Sequence, residues 1–239
     1  MFSGGLAETL WSASVWILPV LTAIPLHEAA HGLAAYRLGD DTAYRLGRVT
    51  LNPLRHIDPF GTIILPAMLK LAGSPFLFGY AKPVPVNFGR LRHPRRDMIL
   101  VAAAGPGMNI LLALVSALLA HLVGLLPAAA GDWLITTLAL SIVLNLVLAI
   151  FNMIPLPPLD GGRVLVGLLP RFLALRLARL ERFGMLIILL IIIGPALLGE
   201  MLHRDDLNLL PRLLFPPMNF LYNAIATVTG SQAILPPLE

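Results

Sequence analysis

Long apolar stretches restrict this chain to folds that are built inside a membrane. Residues 98–124 contain no Asp, Glu, Lys or Arg, and residues 133–153 contain none either. Each stretch is at least as long as the about 20 residues that a helix needs to cross the hydrocarbon core. Charged residues make up only 13% of the chain, about half the share that is usual in soluble domains. The sequence therefore predicts an integral membrane protein whose 239 residues form a single membrane-embedded domain.

The basic residues indicate which ends of the spans face the cytoplasm. Of the 17 Lys and Arg residues, 10 lie within residues 37–96 and 5 within residues 163–182. Residues 1–10 and 125–132 contain none. Because cytoplasmic loops carry an excess of Lys and Arg, the two basic segments are expected inside the cell and the other two outside. The net charge of +4 is explained by this placement at the lipid bilayer, so no nucleic-acid partner is expected.

These anchors predict an α-helical polytopic membrane protein with about four to six transmembrane helices. The predicted spans are residues 8–37, 98–124, 133–153 and 184–199. Trp133 suits the belt of aromatic side chains at a membrane interface. The tail after the fourth span contains a Pro-Pro pair and could either cross the bilayer or lie along it. The domain would then have a core at about residues 8–170 and C-terminal helices at residues 171–239.

Three segments depart from a simple alternation of spans. Residues 61–80 are long enough for one span, but basic segments flank them on both sides, so a re-entrant or dipping element is expected. Residues 41–60 combine a loose apolar alternation with the turn residues Gly47 and Asn52, which predicts a small β element at the cytoplasmic surface. Residues 171–183 carry four arginines among leucines and alanines. This pattern fits an amphipathic helix on anionic headgroups and a cytoplasmic extension of the fourth span equally well.

One ionisable cluster lies inside the first span. His27, Glu28 and His31 form the pattern His-Glu-Ala-Ala-His, which places both histidines on one helix face, where they can reach the same metal ion. Glu28 is placed to take a proton from a water molecule rather than to bind the metal. A charge near the bilayer centre costs at least about 2.5–3.5 kcal/mol, so such groups are retained where they have a function. The alternative is a pair of buried, hydrogen-bonded histidines that packs helices.

A catalytic zinc site usually takes three protein ligands, and Asp160 is the best candidate for the third. The chain has no cysteine, so a metal ion must be held by imidazole and carboxylate groups. Asp160 ends an uncharged stretch, and prolines and glycines around it can turn its carboxylate back into a cavity. His56 and His93 are expected to be exposed, and His121 is expected to be too far from the site. Other acidic residues lie beside arginines and are expected to be solvated: Asp40, Asp41, Asp58 and Asp97.

Three ordered motifs carry a resemblance to a known family. They are HEAAHG at residues 27–32, AAAGPGMN at residues 102–109 and NMIPLPPLDGG at residues 152–162. In this order they resemble the site-2 protease family of intramembrane zinc metalloproteases. The stretches RVTLNPLRHIDPFGTIILP and AKPVPVNFGRLRHPRRD are similar to the short prokaryotic branch of that family, which has no PDZ or CBS domains. The resemblance covers roughly residues 15–170.

The resemblance implies a zinc metalloendopeptidase that cuts membrane proteins in or near their transmembrane segments. One Zn²⁺ ion would be held by His27, His31 and Asp160, and Glu28 would be the general base. The partners would be transmembrane protein substrates and the lipid bilayer, while the sequence does not define an oligomeric state. The protein would be a multi-pass protein of the cell (cytoplasmic) membrane, with its active site towards the cytoplasmic side.

The resemblance also gives roles to two asparagines. Asn109 would hold the substrate backbone or the developing oxyanion. Asn152 would help to position the substrate, although stabilisation of a helix end explains this residue equally well. The Gly-Pro-Gly sequence at residues 105–107 is expected to let its helix approach the neighbouring helices closely.

Two other classes of function stay open from the residues alone. Broken helices and membrane-embedded polar groups also occur in transporters, where a metal-binding pair could belong to an ion path. The chain has no evident internal repeat, and an ion path explains neither Glu28 nor the third motif. The other class is a non-catalytic relative that binds membrane proteins without cutting them. The complete set of His27, Glu28, His31 and Asp160 disfavours it.

Overall fold

The computed structural model describes residues 5–50, 52–64, 68, 82–202 and 209–238. The α-helices are α1 (Leu6–Arg37), α2 (Thr42–Arg45), α3 (Pro94–Leu119), α4 (Ala128–Asn152), α5 (Asp160–Leu168), α6 (Arg171–Ala178), α7 (Glu181–Leu202) and α8 (Leu209–Thr229). Short 3₁₀ turns lie at Pro53–Arg55, Phe88–Arg90 and Ala120–Leu125, and a π-helical turn lies at Pro59–Ile64. Most of the predicted re-entrant segment, residues 61–80, lies outside the described residues.

Three helices in the described ranges are long and apolar enough to cross a membrane. They cover Ala7–Arg37, Pro94–Leu125 and Ala128–Asn152, with mean hydropathies of 1.6, 2.2 and 2.5. These helices match the first three predicted spans, so the polytopic helical fold is confirmed. The predicted fourth span is helical as part of α7. The number of crossings beyond three stays a prediction.

The three spanning helices alternate in direction, which brings one end of each to the same side. The indole Nε1 of Trp133 donates to the Ser14 hydroxyl at 2.9 Å, so the N-terminal parts of α1 and α4 adjoin. The start of α3 adjoins the end of α1, where the Val101 carbonyl contacts the His31 ring. Consequently the C-terminal ends of α1 and α4 and the N-terminal end of α3 share one side of the protein.

Small and branched apolar residues form the core where α3, α4 and α8 meet. Ala113 and Ala117 of α3 are fully buried in one cluster with Ile142 and Leu146 of α4. Tyr222 contributes a buried side chain from α8 to the same cluster. Without a hydrophobic driving force between helices in lipid, small residues stabilise a bundle by letting backbones approach closely. The alanines of α3 therefore allow the tight packing against α4 on which the site depends.

The predicted β element is absent from the described residues of the segment 41–60. Helix α2 and the turn at Pro53–Arg55 occupy this segment instead. Gly47 has a left-handed conformation with φ 63°, and Asn52 accepts a hydrogen bond from the Leu54 N–H at 3.0 Å. Both features reverse the chain before a strand can extend. The loose apolar alternation in the sequence therefore reflects turns and not strand pairing.

An irregular segment, residues 82–87, lies against α1 shortly before α3 begins. Pro83 and Pro85 favour extended backbone at the residues that precede them. A Cβ added to Gly32 of α1 would lie 3.1 Å from the side chain of Val84, so this segment passes close to the helix. This segment therefore covers the part of α1 that carries the two histidines.

Two acidic residues that are expected in solvent are buried. Asp40 accepts hydrogen bonds from the Thr42 hydroxyl at 2.5 Å and from the Asn87 N–H at 2.6 Å. Burial raises the pKa of Asp40, but these hydrogen bonds lower it by more, so the pKa lies below its usual value. Asp97 accepts from the His93 N–H at 2.8 Å at the start of α3. The expectation of solvated carboxylates is wrong here because nearby protein donors replace water.

The basic segment at residues 171–183 is divided into two helices. α6 ends at Ala178, and α7 begins at Glu181 after a turn. Phe172 and Leu175 of α6 are exposed. A separate short helix with exposed apolar and basic side chains fits the amphipathic interpretation better than one continuous extension of the fourth span.

Candidate metal centre

Two histidines of α1 and the first residue of α5 meet in the interior. His27 Nε2 and His31 Nε2 are 3.0 Å apart, and each lies 3.3 Å from Asp160 Oδ2. All three residues are buried, with no more than 8% of any of them exposed. Within the described part of the chain, this group of side chains could hold a metal ion. The structure thus brings together the three residues that the sequence predicts as ligands.

The size of this triangle of ligand atoms fits a tetrahedral metal site. Zinc bonds to imidazole nitrogen and carboxylate oxygen are about 2.0–2.2 Å long, which separates the ligand atoms of a tetrahedron by about 3.3–3.6 Å. The observed edges of 3.0, 3.3 and 3.3 Å lie at the lower end of this range or just below it. Three protein ligands leave the fourth position for a water or a substrate atom, as in catalytic zinc sites.

Hydrogen bonds on the far side of each ring direct both Nε2 lone pairs towards the centre. His31 Nδ1 donates to the Val101 carbonyl at 2.7 Å, and because a carbonyl can only accept, the proton of the neutral ring is on Nδ1. His27 Nδ1 lies 2.5 Å from Asn109 Oδ1, which gives the same tautomer. Hydrogen bonds of this kind fix the orientation of metal-binding histidines and raise their basicity.

Three atoms that each offer a lone pair therefore converge in the interior. Asp160 Oδ2 has no hydrogen-bond partner in the described part of the chain, and the Nε2 atoms of His27 and His31 present lone pairs to it. Leaving a buried acceptor unpaired costs about 1–3 kcal/mol. Positive charge between the three atoms removes this cost, and one divalent cation supplies it to all of them. Two imidazoles and one carboxylate form a donor set that suits zinc.

The connection after α4 delivers Asp160 to the histidines. This connection is rich in proline, and Asp160 begins α5 directly after it. A Cβ at Gly161 would lie 2.2 Å from the Met153 carbonyl oxygen, and a Cβ at Gly162 would lie 2.2 Å from the Pro157 nitrogen. Because only glycine leaves room for these backbone atoms, the Asp-Gly-Gly sequence lets the connection fold back over the start of α5.

Gly105 brings α3 into contact with the two imidazole rings. A Cβ at this position would lie 2.3 Å from His31 Nε2 and 2.7 Å from His27 Cε1. The close approach predicted for the Gly-Pro-Gly sequence is therefore present at Gly105 and directed at the two candidate ligand rings. Gly107 differs, because a Cβ there would meet none of the described atoms within 4 Å.

Glu28 lies beside the candidate metal ligands without joining them. Its Oε2 accepts a hydrogen bond from the Val84 N–H at 2.7 Å. The side chain is half-buried, in contrast to the buried histidines on either side of it. A carboxylate offers about four lone-pair sites, so this bond orients Glu28 and leaves it able to accept a proton from water. The segment 82–87 thereby holds the predicted general base in place.

The two predicted asparagines have different surroundings. Asn109 is fully buried, and its amide contacts His27 and the side chain of Asn145, at 2.5 and 2.7 Å. Its direct partner is therefore a candidate metal ligand, and the predicted contact with substrate stays a prediction. Asn152 is half-buried and donates to the Leu148 carbonyl at 2.9 Å, one turn earlier in α4. This contact favours the interpretation of Asn152 as a residue that stabilises the helix end.

The exposure of the other histidines can be compared with the sequence predictions. His93 and His121 are exposed, as the sequence predicts for His93. His56 is only 2% exposed and its Nε2 donates to the Thr50 carbonyl at 3.1 Å, so the prediction of an exposed side chain is wrong. Asn145 was not identified from the sequence, although a polar amide in the middle of an apolar span is a signal that could have indicated it.

Comparisons with known proteins agree with this geometry. The family model described as Peptidase family M50 matches residues 119–194. YwhC of Bacillus subtilis is 37% identical over 211 residues, which cover 84% of this chain and 93% of that protein. Rip2 of Mycolicibacterium smegmatis is 30% identical over 182 residues, which cover 74% of this chain and 66% of that protein. Both relatives carry provisional names as zinc metalloproteases. No solved structure matches the chain.

Two features define the class of this protein. It has apolar helices that are long enough to cross a membrane, and it has a buried His-His-Asp centre, which is the ligand set of a zinc metalloprotease. The chain belongs to peptidase family M50, the site-2 protease family. The resemblance carried by the three sequence motifs is thereby confirmed, and the match to YwhC extends well beyond those motifs.

Proposed function

We propose that this protein is an intramembrane zinc metalloendopeptidase that hydrolyses peptide bonds in or near the transmembrane segments of membrane proteins. The observation that carries the proposal is the buried triangle of His27 Nε2, His31 Nε2 and Asp160 Oδ2, with Glu28 next to it. Membership of peptidase family M50 supports the same reaction. The cofactor is one Zn²⁺ ion held by these two histidines and Asp160.

Each residue of the site has its own role in peptide hydrolysis. Zinc, when bound, supplies Lewis-acid chemistry that polarises a carbonyl group and makes a nearby water more acidic. Glu28 accepts a proton from the attacking water and then gives a proton to the leaving amine. The Val84 N–H keeps the Glu28 carboxylate oriented. Asn109 holds the His27 ring. Asn152 stabilises the end of α4, and positioning of the substrate is its alternative role.

We place the site towards the cytoplasmic side of the cell membrane. The ligands lie in the last part of α1 and directly after α4, at the ends of the spans next to the segments richest in arginine. The substrates are transmembrane proteins, and the partners include the lipid bilayer and no nucleic acid. A transmembrane helix pairs its backbone groups internally, so the substrate has to unwind locally before a peptide bond reaches Glu28.

Removal of zinc is expected to abolish proteolysis, and zinc is expected to restore it. The full-length protein is reconstituted in liposomes with a single-span substrate protein, and metal content and cleavage are measured before and after chelation. We expect about one zinc per chain and at least about a hundredfold loss of cleavage on removal, because the carbonyl and the water lose their Lewis acid. Magnesium serves as the control ion and should not restore activity, since it prefers oxygen ligands in an octahedron.

The alternative functions give different results in the same liposomes. A transporter would move ions across the bilayer while leaving the substrate intact. A non-catalytic relative would retain zinc and bind the substrate without cutting it. Cleavage that continues at the original rate in zinc-free protein would contradict the proposed mechanism.

A further inference from the structure

We infer that Asn145 is a positioning residue that orients the His27 ligand through Asn109 and thereby sets the zinc affinity of the site. The inference rests on the proposed zinc site and goes beyond it, because Asn145 lies on α4 and does not reach the metal centre itself. The side chains of Asn145 and Asn109, which we call the asparagine link, connect the backbone of α4 to the His27 ring on α1. The link crosses α3, which carries Asn109.

The asparagine link is continuous and closed to solvent. Asn145 Nδ2 donates to the Ser141 carbonyl at 2.8 Å. Asn145 Oδ1 accepts from Asn109 Nδ2 at 2.7 Å, and Asn109 Oδ1 lies 2.5 Å from His27 Nδ1. Both asparagines are 0% exposed. Water therefore does not replace either amide as a partner, and each amide orientation constrains the next.

The Ser141 carbonyl determines the direction of every hydrogen bond in the link. A carbonyl can only accept, so Asn145 turns its nitrogen towards Ser141 and its oxygen towards Asn109. Asn109 must then donate to that oxygen, and the Ala23 carbonyl, 3.3 Å from the same nitrogen, favours the same orientation. Asn109 Oδ1 is left facing His27, so Nδ1 of the ring donates. His27 Nε2 therefore presents its lone pair to the metal.

The other histidine ligand has no such dependence on side chains. His31 donates directly to the backbone carbonyl of Val101, which has a single possible role. An amide side chain, in contrast, can turn over and present a donor in place of an acceptor. His27 is therefore the ligand whose tautomer and orientation depend on residues of two other helices. Asn145, at the shorter distance, and the Ala23 carbonyl together keep the Asn109 amide from turning.

Asn145→Ala is expected to raise the zinc dissociation constant about 10- to 100-fold, the usual effect of removing an outer hydrogen-bond partner from a metal site. The measurement uses the full-length protein in detergent, with a chelator of known affinity as the competitor for zinc. Ser116→Ala is the matched control. It removes another buried hydrogen bond between α3 and α4, the 2.9 Å contact of the Ser116 and Ser141 hydroxyls. It leaves both acceptors of Asn145 Nδ2 in place, the Ser141 carbonyl at 2.8 Å and the Ser141 hydroxyl at 3.4 Å. Its zinc affinity should equal that of the parent.

A double variant separates positioning from a general loss of packing. If Asn145 acts through Asn109, then Asn145→Ala should weaken zinc binding in the parent and change little in an Asn109→Ala background. A purely structural role predicts that the two effects on zinc affinity add. Thermal unfolding of the metal-free variants provides the check that Asn145→Ala and Ser116→Ala are folded to a similar extent.

The outcomes distinguish this inference from the proposed function. Weaker zinc binding in Asn145→Ala, with coupling to Asn109→Ala and an unchanged Ser116→Ala control, supports the asparagine link. Unchanged zinc affinity in Asn145→Ala, or additive effects in the double variant, overturns the inference while the proposed function stands. A parent protein that binds no zinc contradicts the proposed function and the inference together.

Discussion

Glu28→Gln is expected to keep its zinc and to lose proteolysis. The side chain lies outside the triangle of ligand atoms, and glutamine has nearly the same shape, so the site should still bind one ion. The glutamine carbonyl can still accept from the Val84 N–H, which contacts the carboxylate at 2.7 Å in the parent. It cannot accept a proton from water. Loss of a general base typically lowers the rate about 10²- to 10⁴-fold, and cleavage of a single-span substrate in liposomes measures this loss.

The control for this variant is a second glutamate of the same helix. Glu8 is exposed near the opposite end of α1, and Glu8→Gln should cleave at the parent rate. Zinc content is determined for both variants before the assay. Parent-like cleavage by Glu28→Gln would exclude Glu28 as the general base. Loss of zinc from Glu28→Gln, with zinc retained by Glu8→Gln, would instead show that this carboxylate is needed to form the metal site.

Gly105→Ala is expected to weaken zinc binding and, as a result, cleavage. The added methyl group would lie 2.3 Å from His31 Nε2 and 2.7 Å from His27 Cε1, in the space where both rings approach the metal. Because these atoms belong to the ligands, relief of the clash requires that the rings or α3 move. Overpacking of this kind costs about 1–3 kcal/mol, which corresponds to about 5- to 150-fold in zinc affinity if the bound state carries all of it.

Gly107→Ala is the matched control for this prediction. It adds the same methyl group to the same helix two residues later, where a Cβ meets no described atom within 4 Å. Chelator competition in detergent gives the zinc affinity of both variants. Equal zinc affinities for Gly105→Ala, Gly107→Ala and the parent would show that α3 does not press against the imidazole rings in the folded protein.

The candidate metal ligands could be predicted from the sequence because their signals are local. His27 and His31 are four residues apart, so helix geometry alone places them on one face. Asp160 stands at the end of a long uncharged stretch, next to glycines that permit a sharp turn. In both places the surrounding residues are apolar, which leaves few other reasons for an ionisable group. The scarcity of charged residues also makes the three apolar helices easy to recognise.

The hydrogen bonds around the ligands could not be predicted in the same way. Asn109 and Asn145 lie on different helices, and their contact depends on how α3 and α4 pack. The contact of Gly105 with the rings of His27 and His31 also appears only when two helices adopt their final distance. The sequence motifs include Asn109 and Gly105 but not Asn145, and they assign the first two to substrate or to packing only by analogy.

The errors in the segments between the predicted spans have a common physical origin. Asp40 is buried because it accepts from the Asn87 N–H, a donor 47 positions later in the chain. The expected β element is absent in the described part of residues 41–60, where Gly47 and Asn52 form turns. Patterns of charge and of apolar alternation involve only residues that are close in sequence. The burial of a short polar side chain depends instead on backbone donors that are distant in sequence.

X-ray absorption at the zinc edge, on the full-length protein loaded with one zinc ion, tests directly whether His27, His31 and Asp160 hold the metal. We predict a first shell of nitrogen and oxygen atoms at about 2.0–2.2 Å that contains two imidazoles. Asp160→Ala is expected to lose zinc or to change this shell by one oxygen ligand. A spectrum with a single imidazole, or one that is identical in the parent and in Asp160→Ala, would contradict a zinc site formed by these three residues.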